Sequence, residues 1–286
     1  MPELPEVETT TRGLRKAIVG LTIKNVWTDL NTKDKRQKEA VANPKFFAYF
    51  RKEVLGKKVI SVERRAKNIL INLSDSKTIL VHMKMTGHFL YGNYKKDSIN
   101  RFIHFVITFN DKKKLYFSDM RKFGKITLLD TGTAHDTKHL NNIGPEPLGK
   151  RFTITNFKLR ILRKQKGKIK SVLMDQSVIA GIGNIYSDEI LWRAGVHPER
   201  PVKKVHDREL KLIFKATKET LKKGIDFGGD SMSDYRNIHG LPGKFQLHHQ
   251  VYRRTGKKCR KPKCGGVIKR KIINGRSAHF CNVHQK

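Results

Sequence analysis

The sequence predicts an α+β fold: an amino-terminal helix and an antiparallel β-sandwich, then a hinge, a helical domain and a carboxyl-terminal hairpin. Three observations predict this order. Apolar residues recur at helical spacing near the amino terminus, and short β-prone runs follow without intervening helices. The second half changes to helical patterns and ends in a tail that contains all three cysteines.

The first half begins as a helix and continues as strands. Pro5 suits a first helical turn, and a helical apolar stripe follows it, formed by Val7, Thr10, Leu14, Ala17 and Ile18. The β-prone runs are residues 59–62, 68–73, 79–85, 102–109 and 115–117. Asn110-Asp111 is typical of a hairpin turn, and the basic stretch 31–50 is interpreted as a long connection without an assigned role.

The second half begins after Gly144-Pro145-Glu146-Pro147-Leu148, a segment that favours neither helix nor strand and is interpreted as a hinge. Helices are predicted over residues 171–179 and 186–194, and a third begins at Asp207. A glycine turn at residues 180–184 joins the first two. The glycine-rich segment 226–245 is predicted to be a mobile loop.

Charge indicates the partner. The chain of 286 residues carries 61 Lys and Arg against 25 Asp and Glu, a net charge of +36, and no acidic residue occurs after Asp234. A polyanion such as nucleic acid fits this excess, although a basic surface could also serve solubility alone. No apolar run approaches the ~18 residues of a membrane span, and the acidic start is unlike a signal peptide. We therefore expect a cytoplasmic protein without a membrane partner.

The tail carries a metal-binding pattern. Cys259, Cys264, Cys281 and His284 have the spacing C-x4-C-x16-C-x2-H, and three sulfurs with one imidazole suit tetrahedral Zn²⁺. Four protein ligands leave no open position, so we expect a structural site with one zinc per chain. The alternative is three reduced cysteines without metal.

The amino terminus carries a candidate nucleophile. If Met1 is removed, Pro2 presents a secondary amine with a pKa near ~8, which can attack a sugar or carbonyl carbon and form a Schiff base. The alternative for this common Met-Pro start is a solvated terminus without chemistry.

Seven motifs in order carry a resemblance that extends over nearly the whole chain. They are Met1–Thr9, Arg64–Lys67, Met85–Gly87, Asp119–Gly124, Gly144–Leu148, Leu173–Gln176 and Gly181–Tyr186. With the tail, they resemble the formamidopyrimidine glycosylase/endonuclease VIII family of base-excision repair enzymes. The resemblance implies a catalytic sandwich domain (1–135), a hinge (136–150), a helix-two-turns-helix DNA-binding domain (151–240) and a zinc-finger hairpin (241–286).

The resemblance also implies catalytic roles. Pro2 would attack C1′ of the damaged nucleotide, and the resulting iminium would allow strand scission by β,δ-elimination. Glu3 would be the general acid/base that protonates the opening sugar, although a carboxylate in a first helical turn is favourable without catalysis. Lys67 would hold a phosphate near the lesion; as a lone lysine at a strand edge it would be solvated.

DNA-binding roles follow from the same resemblance. Asn184 and Arg276 match the family's other phosphate clamps, although they could be a turn residue and a surface charge. Met85, Arg121 and Phe123 match the residues that fill the space left by the extruded nucleotide. The alternative for Met85 and Phe123 is an ordinary place in the core.

Three functions are compared. We expect a bifunctional DNA glycosylase and AP lyase that removes 8-oxoguanine and formamidopyrimidines from damaged double-stranded DNA. Leu4, Pro5 and the segment 226–245 look more like this purine-directed branch than like the endonuclease VIII branch, which removes oxidised pyrimidines. A DNA-binding relative without catalysis is the third possibility. We further expect a monomer associated with the nucleoid.

Overall fold

A computed structural model describes residues 1–92, 102–232 and 234–286, and Arg36 by its backbone only. The predicted α+β class with antiparallel sheets and a carboxyl-terminal hairpin is confirmed. By contacts, these residues form two compact units. The first comprises residues 1–141 together with 227–244, and the second comprises residues 142–226 together with 245–286. The four domain ranges derived from the sequence stay a prediction.

The first unit contains two helices and two four-stranded antiparallel sheets. Its elements are α1 Leu4–Ile18, β1 Ile23–Thr28, α2 Pro44–Val54, β2 Val59–Arg65, β3 Asn68–Leu73, β4 Lys77–His82, β5 His88–Gly92, β6 Ile103–Phe109, β7 Lys114–Ser118 and β8 Lys125–Asp130. The strand orders are β1-β6-β7-β5 and β2-β3-β4-β8. Both sheets contribute side chains to one core, so they form the predicted sandwich.

The core explains why these segments pair. Apolar residues of α1 such as Leu14 and Ile18 are fully buried, as the helical stripe predicts. Strand β3 is buried along most of its length because it lies between β2 and β4. Ile238, from the segment that returns to this unit, packs in the same core. Each fully buried aliphatic side chain contributes about 1.5–3 kcal/mol.

The second unit contains four helices and a hairpin. They are α3 Ile154–Leu162, α4 Ile169–Met174, α5 Asn184–Ala194, α6 Asp207–Asp226 and the hairpin of β9 Ile268–Ile273 with β10 Arg276–Cys281. Helix α5 ends at Gly195, whose φ of +73° is the left-handed conformation that favours glycine at a helix end. Among the described residues, no helix has the length and apolar character that crossing a membrane requires.

Three details differ from the sequence predictions. The helix predicted over 171–179 ends at Met174, because the Asp175 carboxylate accepts the Ser177 N–H and forms a turn. The strand predicted over 79–85 ends at His82, since Lys84 has φ +54° in the turn that follows. The stretch 31–50 is not only a connection: it contains the first turns of α2.

Candidate functional site

The amino terminus is folded onto the first unit. Glu3 is the N-cap of α1, its backbone N–H donates to Glu6 Oε2 at 2.7 Å, and its carbonyl accepts the Val7 N–H at 3.0 Å. Pro2 and Glu3 are buried, whereas Met1 is 40% exposed. The nitrogen of Pro2 is an amide nitrogen while Met1 is attached and becomes an amine only after its removal.

The glycine-rich segment 227–244 packs against the start of α1. Glu6 Oε1 accepts the Asp230 N–H at 2.7 Å, and the Tyr235 hydroxyl donates to the Glu6 carbonyl at 3.0 Å. Burial raises the pKa of Tyr235, which therefore remains a hydrogen-bond donor. Gly229 has φ +87°, and a Cβ there would lie 2.9 Å from Glu6 Cγ, so this close approach requires glycine. Ser233 of this segment lies outside the described residues.

Lys67 lies in the two-residue turn between β2 and β3, after Ala66, which has φ +54°. This turn is tied to α1 by the ion pair of Arg64 Nε with Glu8 Oε2 at 2.7 Å, and Arg64 also donates to the Ala66 carbonyl at 3.0 Å. Burial raises the pKa of Glu8, but pairing with Arg64 and Arg12 lowers this pKa by more, so that it lies below its ordinary value. The ion pair therefore fixes the hairpin that carries Lys67 to the helix that begins beside Pro2.

Lys67 itself is 6% exposed and lies near His82, since Asn68 pairs with His82 across β3 and β4. Burial, together with the charges of Lys84 and Lys67, lowers the pKa of His82 to about 3. The Lys84 N–H donates to His82 Nδ1 at 3.0 Å, which requires the proton on Nε2. His82 is thus neutral at pH 7, and the positive charge at this end of the sheet belongs to the lysines.

Two loops of the first unit carry Met85, Arg121 and Phe123. The buried carboxylate of Asp119 joins the loops: it accepts the Thr86 hydroxyl from one loop and the Gly124 N–H, at 2.6 Å, from the other. The Arg121 N–H donates to Thr86 Oγ1 at 3.2 Å. Gly124 has no room for a side chain, because a Cβ would lie 2.5 Å from the Phe117 ring.

The side chains of these loops point outward. Phe123 is 48% exposed, so it is not an ordinary core residue, and Met85 is half-buried. The Arg121 guanidinium lies 4.6 Å from the centre of the Phe123 ring, a cation–π distance. An exposed aromatic ring stacked under a guanidinium offers a flat apolar surface that can replace a nucleobase.

The loops border an open groove of about 730 Å³. Met1, Met85, Arg121 and Phe123 line it, and the other lining residues are Thr32, Asp34, Gln37, Ala42, Lys84, Lys122, Lys125 and His139. Since Pro2 is bonded to Met1, the predicted nucleophile lies beside the groove that the predicted void-filling residues line. These four sequence-predicted positions are therefore brought together within the first unit.

Asn184 lies in the second unit, at the first residue of α5. The side chain of Gln176 holds the glycine turn before it: Oε1 accepts the Gly181 N–H at 2.9 Å, and Nε2 donates to the Ile182 carbonyl at 2.8 Å. The Asn184 Oδ1 atom is buried and has no hydrogen-bond partner among the described residues. The amide nitrogen Nδ2 is a donor at a helix amino terminus, and these two features suit an anion.

Arg276 lies in the second unit too, at the start of β10 and exposed. It pairs with Ile273 across a two-residue turn, Asn274-Gly275, in which both residues have positive φ. Asn274 Nδ2 donates to Ser171 Oγ of α4 at 3.0 Å. The tip of the hairpin is thereby fixed to the helix that precedes the glycine turn of Asn184.

A buried charge network holds the same hairpin. Lys170 Nζ donates to Asp188 Oδ1 at 2.5 Å and to the Ser277 carbonyl at 2.8 Å. Asp188 Oδ2 accepts the His279 N–H at 2.9 Å. Lys170 and Asp188 are at most 1% exposed, so neither charge can be left without the other at low cost. Helices α4 and α5 and strand β10 are joined at this point.

The four predicted metal ligands converge. The ligand atoms of Cys259, Cys264, Cys281 and His284 lie within 4.8 Å of one another. Cys264 Sγ lies 3.7 Å from Cys281 Sγ, and Cys259 Sγ lies 3.4 Å from His284 Nδ1. A tetrahedron of sulfurs about 2.3 Å from Zn²⁺ has edges of about 3.8 Å, so the residues fit this ion.

The surroundings of the cluster orient its ligands. His284 Nε2 lies 2.9 Å from the Trp192 carbonyl, which suits the tautomer that leaves Nδ1 free to bind a metal. Trp192 Nε1 donates to Cys259 Sγ at 3.3 Å. A Cβ on Gly266 would lie 2.5 Å from Cys281 Sγ, so the turn can pass the cluster only as glycine.

Sequence reasoning missed the buried charged residues that hold the site together. Asp119, Lys170 and Asp188 contact no solvent, and each joins segments that are distant in sequence. Asp119 stands inside a recognised motif, and Lys170 and Asp188 lie within or beside predicted helices. A charged residue among apolar ones was the available signal, but its partner cannot be identified from one sequence.

Comparisons with known proteins match the chain end to end. The family models "Formamidopyrimidine-DNA glycosylase N-terminal domain" and "Formamidopyrimidine-DNA glycosylase H2TH domain" match residues 1–126 and 143–236. A formamidopyrimidine-DNA glycosylase of Pelotomaculum thermopropionicum is 38% identical over 286 residues, with 100% of this chain and 99% of that protein covered. One of Bacillus subtilis is 35% identical and 98% of each chain is covered.

Solved structures give the same result. Lactococcus lactis Fpg in complex with DNA containing an abasic site matches with a TM-score of 0.87, 33% identity and 99% of both chains covered. The same enzyme in complex with DNA containing FAPY-dG matches with a TM-score of 0.86 and 33% identity, with 99% of this chain and 100% of that chain covered.

Proposed function

Since this chain belongs to the formamidopyrimidine-DNA glycosylase family, we propose that it removes oxidised purines from damaged duplex DNA and then cleaves the strand at the abasic site. The family resemblance read from the motifs is confirmed by the full-length matches. The Lactococcus lactis relative is described in complex with DNA containing an abasic site or FAPY-dG, the product and one substrate of such a reaction. The net charge of +36 supports a DNA partner.

One observation carries the proposal. The groove lined by Met85, Arg121 and Phe123 is also lined by Met1, the residue bonded to Pro2. A nucleotide extruded from the duplex leaves a gap that must be filled while the sugar reaches the nucleophile. Residues suited to both tasks lie along one groove.

The proposed reaction begins with the secondary amine of Pro2. Its lone pair attacks C1′, and the electrons of the glycosidic bond leave with the base, which takes up a proton. Loss of the proton on the Pro2 nitrogen restores its lone pair, which forms the C1′=N bond of an iminium as the C1′–O4′ bond breaks and O4′ takes up a proton. Loss of a proton from C2′ expels the 3′-phosphate, and a second elimination expels the 5′-phosphate.

Glu3 supplies the proton that O4′ requires when the sugar opens. Its position next to Pro2, at the N-cap of α1, supports this role, because the start of the helix fixes the backbone of both residues. Lys67 holds a phosphate of the lesion strand. The Glu8–Arg64 pair supports this role, since it fixes the hairpin of Lys67 to α1.

The remaining contacts hold the bent, opened duplex. Asn184 and Arg276 bind phosphates of the lesion strand, through an amide at a helix start and a guanidinium at a hairpin tip. Met85 and Phe123 occupy the space of the extruded nucleotide, and Arg121 hydrogen-bonds the orphaned base. Phosphate contacts set the position and carry no sequence information, as suits a repair enzyme.

Cys259, Cys264, Cys281 and His284 bind one Zn²⁺ in this proposal. Because four protein ligands complete a tetrahedron, the ion stabilises the fold of the tail and takes no part in the reaction. We further propose that the protein acts as a monomer, in the cytoplasm and on the nucleoid, with the domain ranges given by the sequence. Light scattering of the protein alone and with DNA tests the monomer.

The decisive experiment captures the covalent intermediate. The protein is incubated with duplex DNA containing 8-oxoguanine opposite cytosine, borohydride is added, and the adduct is mapped by mass. We expect one cross-link on Pro2 of a chain without Met1. A matched variant with glutamate inserted between Met1 and Pro2 keeps this nitrogen in an amide and should form no adduct.

Other outcomes have defined meanings. Equal cross-linking of the variant with the inserted glutamate would refute the Pro2 nucleophile. Faster capture by a duplex with thymine glycol would assign the chain to oxidised pyrimidines instead. DNA binding without any adduct would indicate a relative that binds DNA without catalysis.

A further inference from the structure

The two loops that carry Met85, Arg121 and Phe123, called the wedge loops from here on, border a groove whose charge is unbalanced. Its described lining includes four cations, Lys84, Arg121, Lys122 and Lys125, against a single carboxylate, Asp34. Within the described ranges, neither Lys84 nor Lys122 forms an ion pair. These charges repel one another across an open, partly desolvated space, where their interaction is stronger than in bulk water.

Neighbouring groups show the same repulsion. Burial lowers the pKa of Lys125, and Lys138 and Lys84 act in the same direction, while Glu39 opposes them. Burial also lowers the pKa of His139, with Lys125 as the next contribution. Glu39 is itself engaged by Lys138 at 2.6 Å. An anion in the groove would relieve the remaining repulsion.

The connection 31–43, to which the sequence assigned no role, also lines the groove. Thr32, Asp34 and Gln37 line the groove from this segment. The groove therefore carries four cations against one carboxylate, with Thr32 and Gln37 as neutral polar groups beside them.

We propose that this groove binds phosphodiester groups of the undamaged DNA strand, the strand opposite the lesion. The proposal rests on the proposed function. Arg121 lies on the wall of the groove and is assigned there to the orphaned base, which belongs to the undamaged strand. Lys67, Asn184 and Arg276 are assigned to the lesion strand. Lys84 and Lys122 are adjacent in sequence to Met85, Arg121 and Phe123, and we assign them to phosphates of the undamaged strand.

Salt dependence of binding gives the first test. Each phosphate neutralised by a lysine contributes about 0.9 to the slope of log affinity against log salt. Lys84→Gln and Lys122→Gln should each make the slope shallower by about 1 and weaken binding at low salt by about tenfold, for any duplex sequence. Lys24→Gln is the matched control, since Lys24 is exposed on β1, has no ion pair among the described residues and does not line the groove.

Strand assignment gives the second test. Neutral methylphosphonates are placed opposite the lesion in the undamaged strand, or beside the lesion in the damaged strand. The first placement should weaken the wild type about tenfold and leave the Lys84→Gln/Lys122→Gln protein almost unchanged, whereas the second should weaken both equally. The proposal is overturned if both variants have the same salt slope as Lys24→Gln. It is also overturned if methylphosphonates in the damaged strand, and not those in the undamaged strand, distinguish the wild type from the double variant. A third refuting outcome is that millimolar inorganic phosphate abolishes the difference in DNA affinity between wild type and variants.

Borohydride capture on the same proteins separates this proposal from the proposed function. If the wild type forms no adduct on Pro2, the proposed function fails. If the wild type forms the adduct and the variants keep the wild-type salt slope, only the assignment of the groove fails.

Discussion

Replacing Asp119 by alanine should disable the wedge loops more than it disables the nucleophile. The carboxylate is 1% exposed and accepts hydrogen bonds from the Thr86 hydroxyl and the Gly124 N–H. Hydrogen bonds to a charged group contribute about 1.5–3 kcal/mol each, and a buried donor left without a partner costs about 1–3 kcal/mol. We expect the free energy of unfolding to fall by about 3 kcal/mol.

The functional effect should depend on the substrate. Extruding 8-oxoguanine requires ordered wedge loops, so its excision should slow at least tenfold. A tenfold slowing corresponds to a rise of about 1.4 kcal/mol in the activation free energy. Cleavage at a preformed abasic site has no base to extrude and should stay within twofold of the wild type. Single-turnover rates on the two duplexes, with urea denaturation, measure both effects.

Asp111→Ala is the matched control. Asp111 lies in the turn between β6 and β7, and accepts from the Tyr91 hydroxyl and the Lys113 N–H at 3.0 Å each; both partners lie outside the wedge loops. It should leave both rates unchanged. Equal slowing of Asp119→Ala on both substrates would refute the reasoning, because a loss common to both cannot arise from extrusion.

Four further predictions follow from the described contacts. Glu3→Gln should bind the 8-oxoguanine duplex with the wild-type Kd, but its single-turnover cleavage rate should fall at least a hundredfold. The glutamine side chain has the size of glutamate but cannot donate a proton to O4′. A wild-type rate would exclude Glu3 as the general acid. A chelator should remove one Zn²⁺ per chain, measured by metal analysis, and abolish DNA binding, and Cys264→Ser should be purified without zinc. A metal-free protein whose tail remains fully folded by circular dichroism would contradict the site. Lys170→Met should lower the free energy of unfolding by about 3 kcal/mol in urea, since it leaves the Asp188 charge buried, while exposed Lys166→Met should change nothing; equal effects would refute the buried pair. Lys271 at 2.6 Å and Lys168 at 2.9 Å lower the pKa of Glu199 to about 2, so these ion pairs stabilise the fold fully above pH 4.5 and this stabilisation is lost as pH falls from 4.5 to 2. Glu199→Gln should therefore lower the free energy of unfolding by about 1 kcal/mol at pH 7 and by nothing at pH 2. A difference that persists at pH 2 would contradict the ion pairs.

Local patterns predicted much of the fold. The apolar stripe that contains Leu14 and Ile18 predicted α1, and the turn signal at Asn110-Asp111 lies between β6 and β7 as expected. Cys259 and Cys281 converge as their spacing indicated. Each of these features depends on residues close in sequence or on ligand chemistry that is specific by itself.

Helix α2 has clear local signals in the sequence. Asn43 is its N-cap and accepts the Phe46 N–H, and Pro44 follows at the first helical position. Phe47 and Phe50 then recur at helical spacing and pack toward the core. Lysines surround these residues in the sequence and indicate a charged connection, but only one face of the helix is exposed.

Other features could not be read from one sequence. The approach of Gly229 to Glu6 joins residues more than 220 positions apart, and the glycine pair alone indicates only a turn. The same holds for the carboxylate of Asp119, whose motif gave no sign that it joins two loops. Long-range partners depend on how the whole chain packs, which local propensity does not contain.

The return of residues 227–244 to the first unit has a consequence for biosynthesis. Ile238 packs in the core of the sandwich and its carbonyl accepts the Tyr91 N–H at 2.8 Å, so a ribosome must synthesise most of the chain before this core can close. Until then the nascent sandwich exposes apolar surface around Gly13, where a Cβ would lie 2.9 Å from Ile238 Cγ1 in the finished protein. Such late closure slows folding and lengthens exposure to aggregation. Truncation after α6 should therefore yield an insoluble fragment of residues 1–226, although all described strands of the sandwich are present.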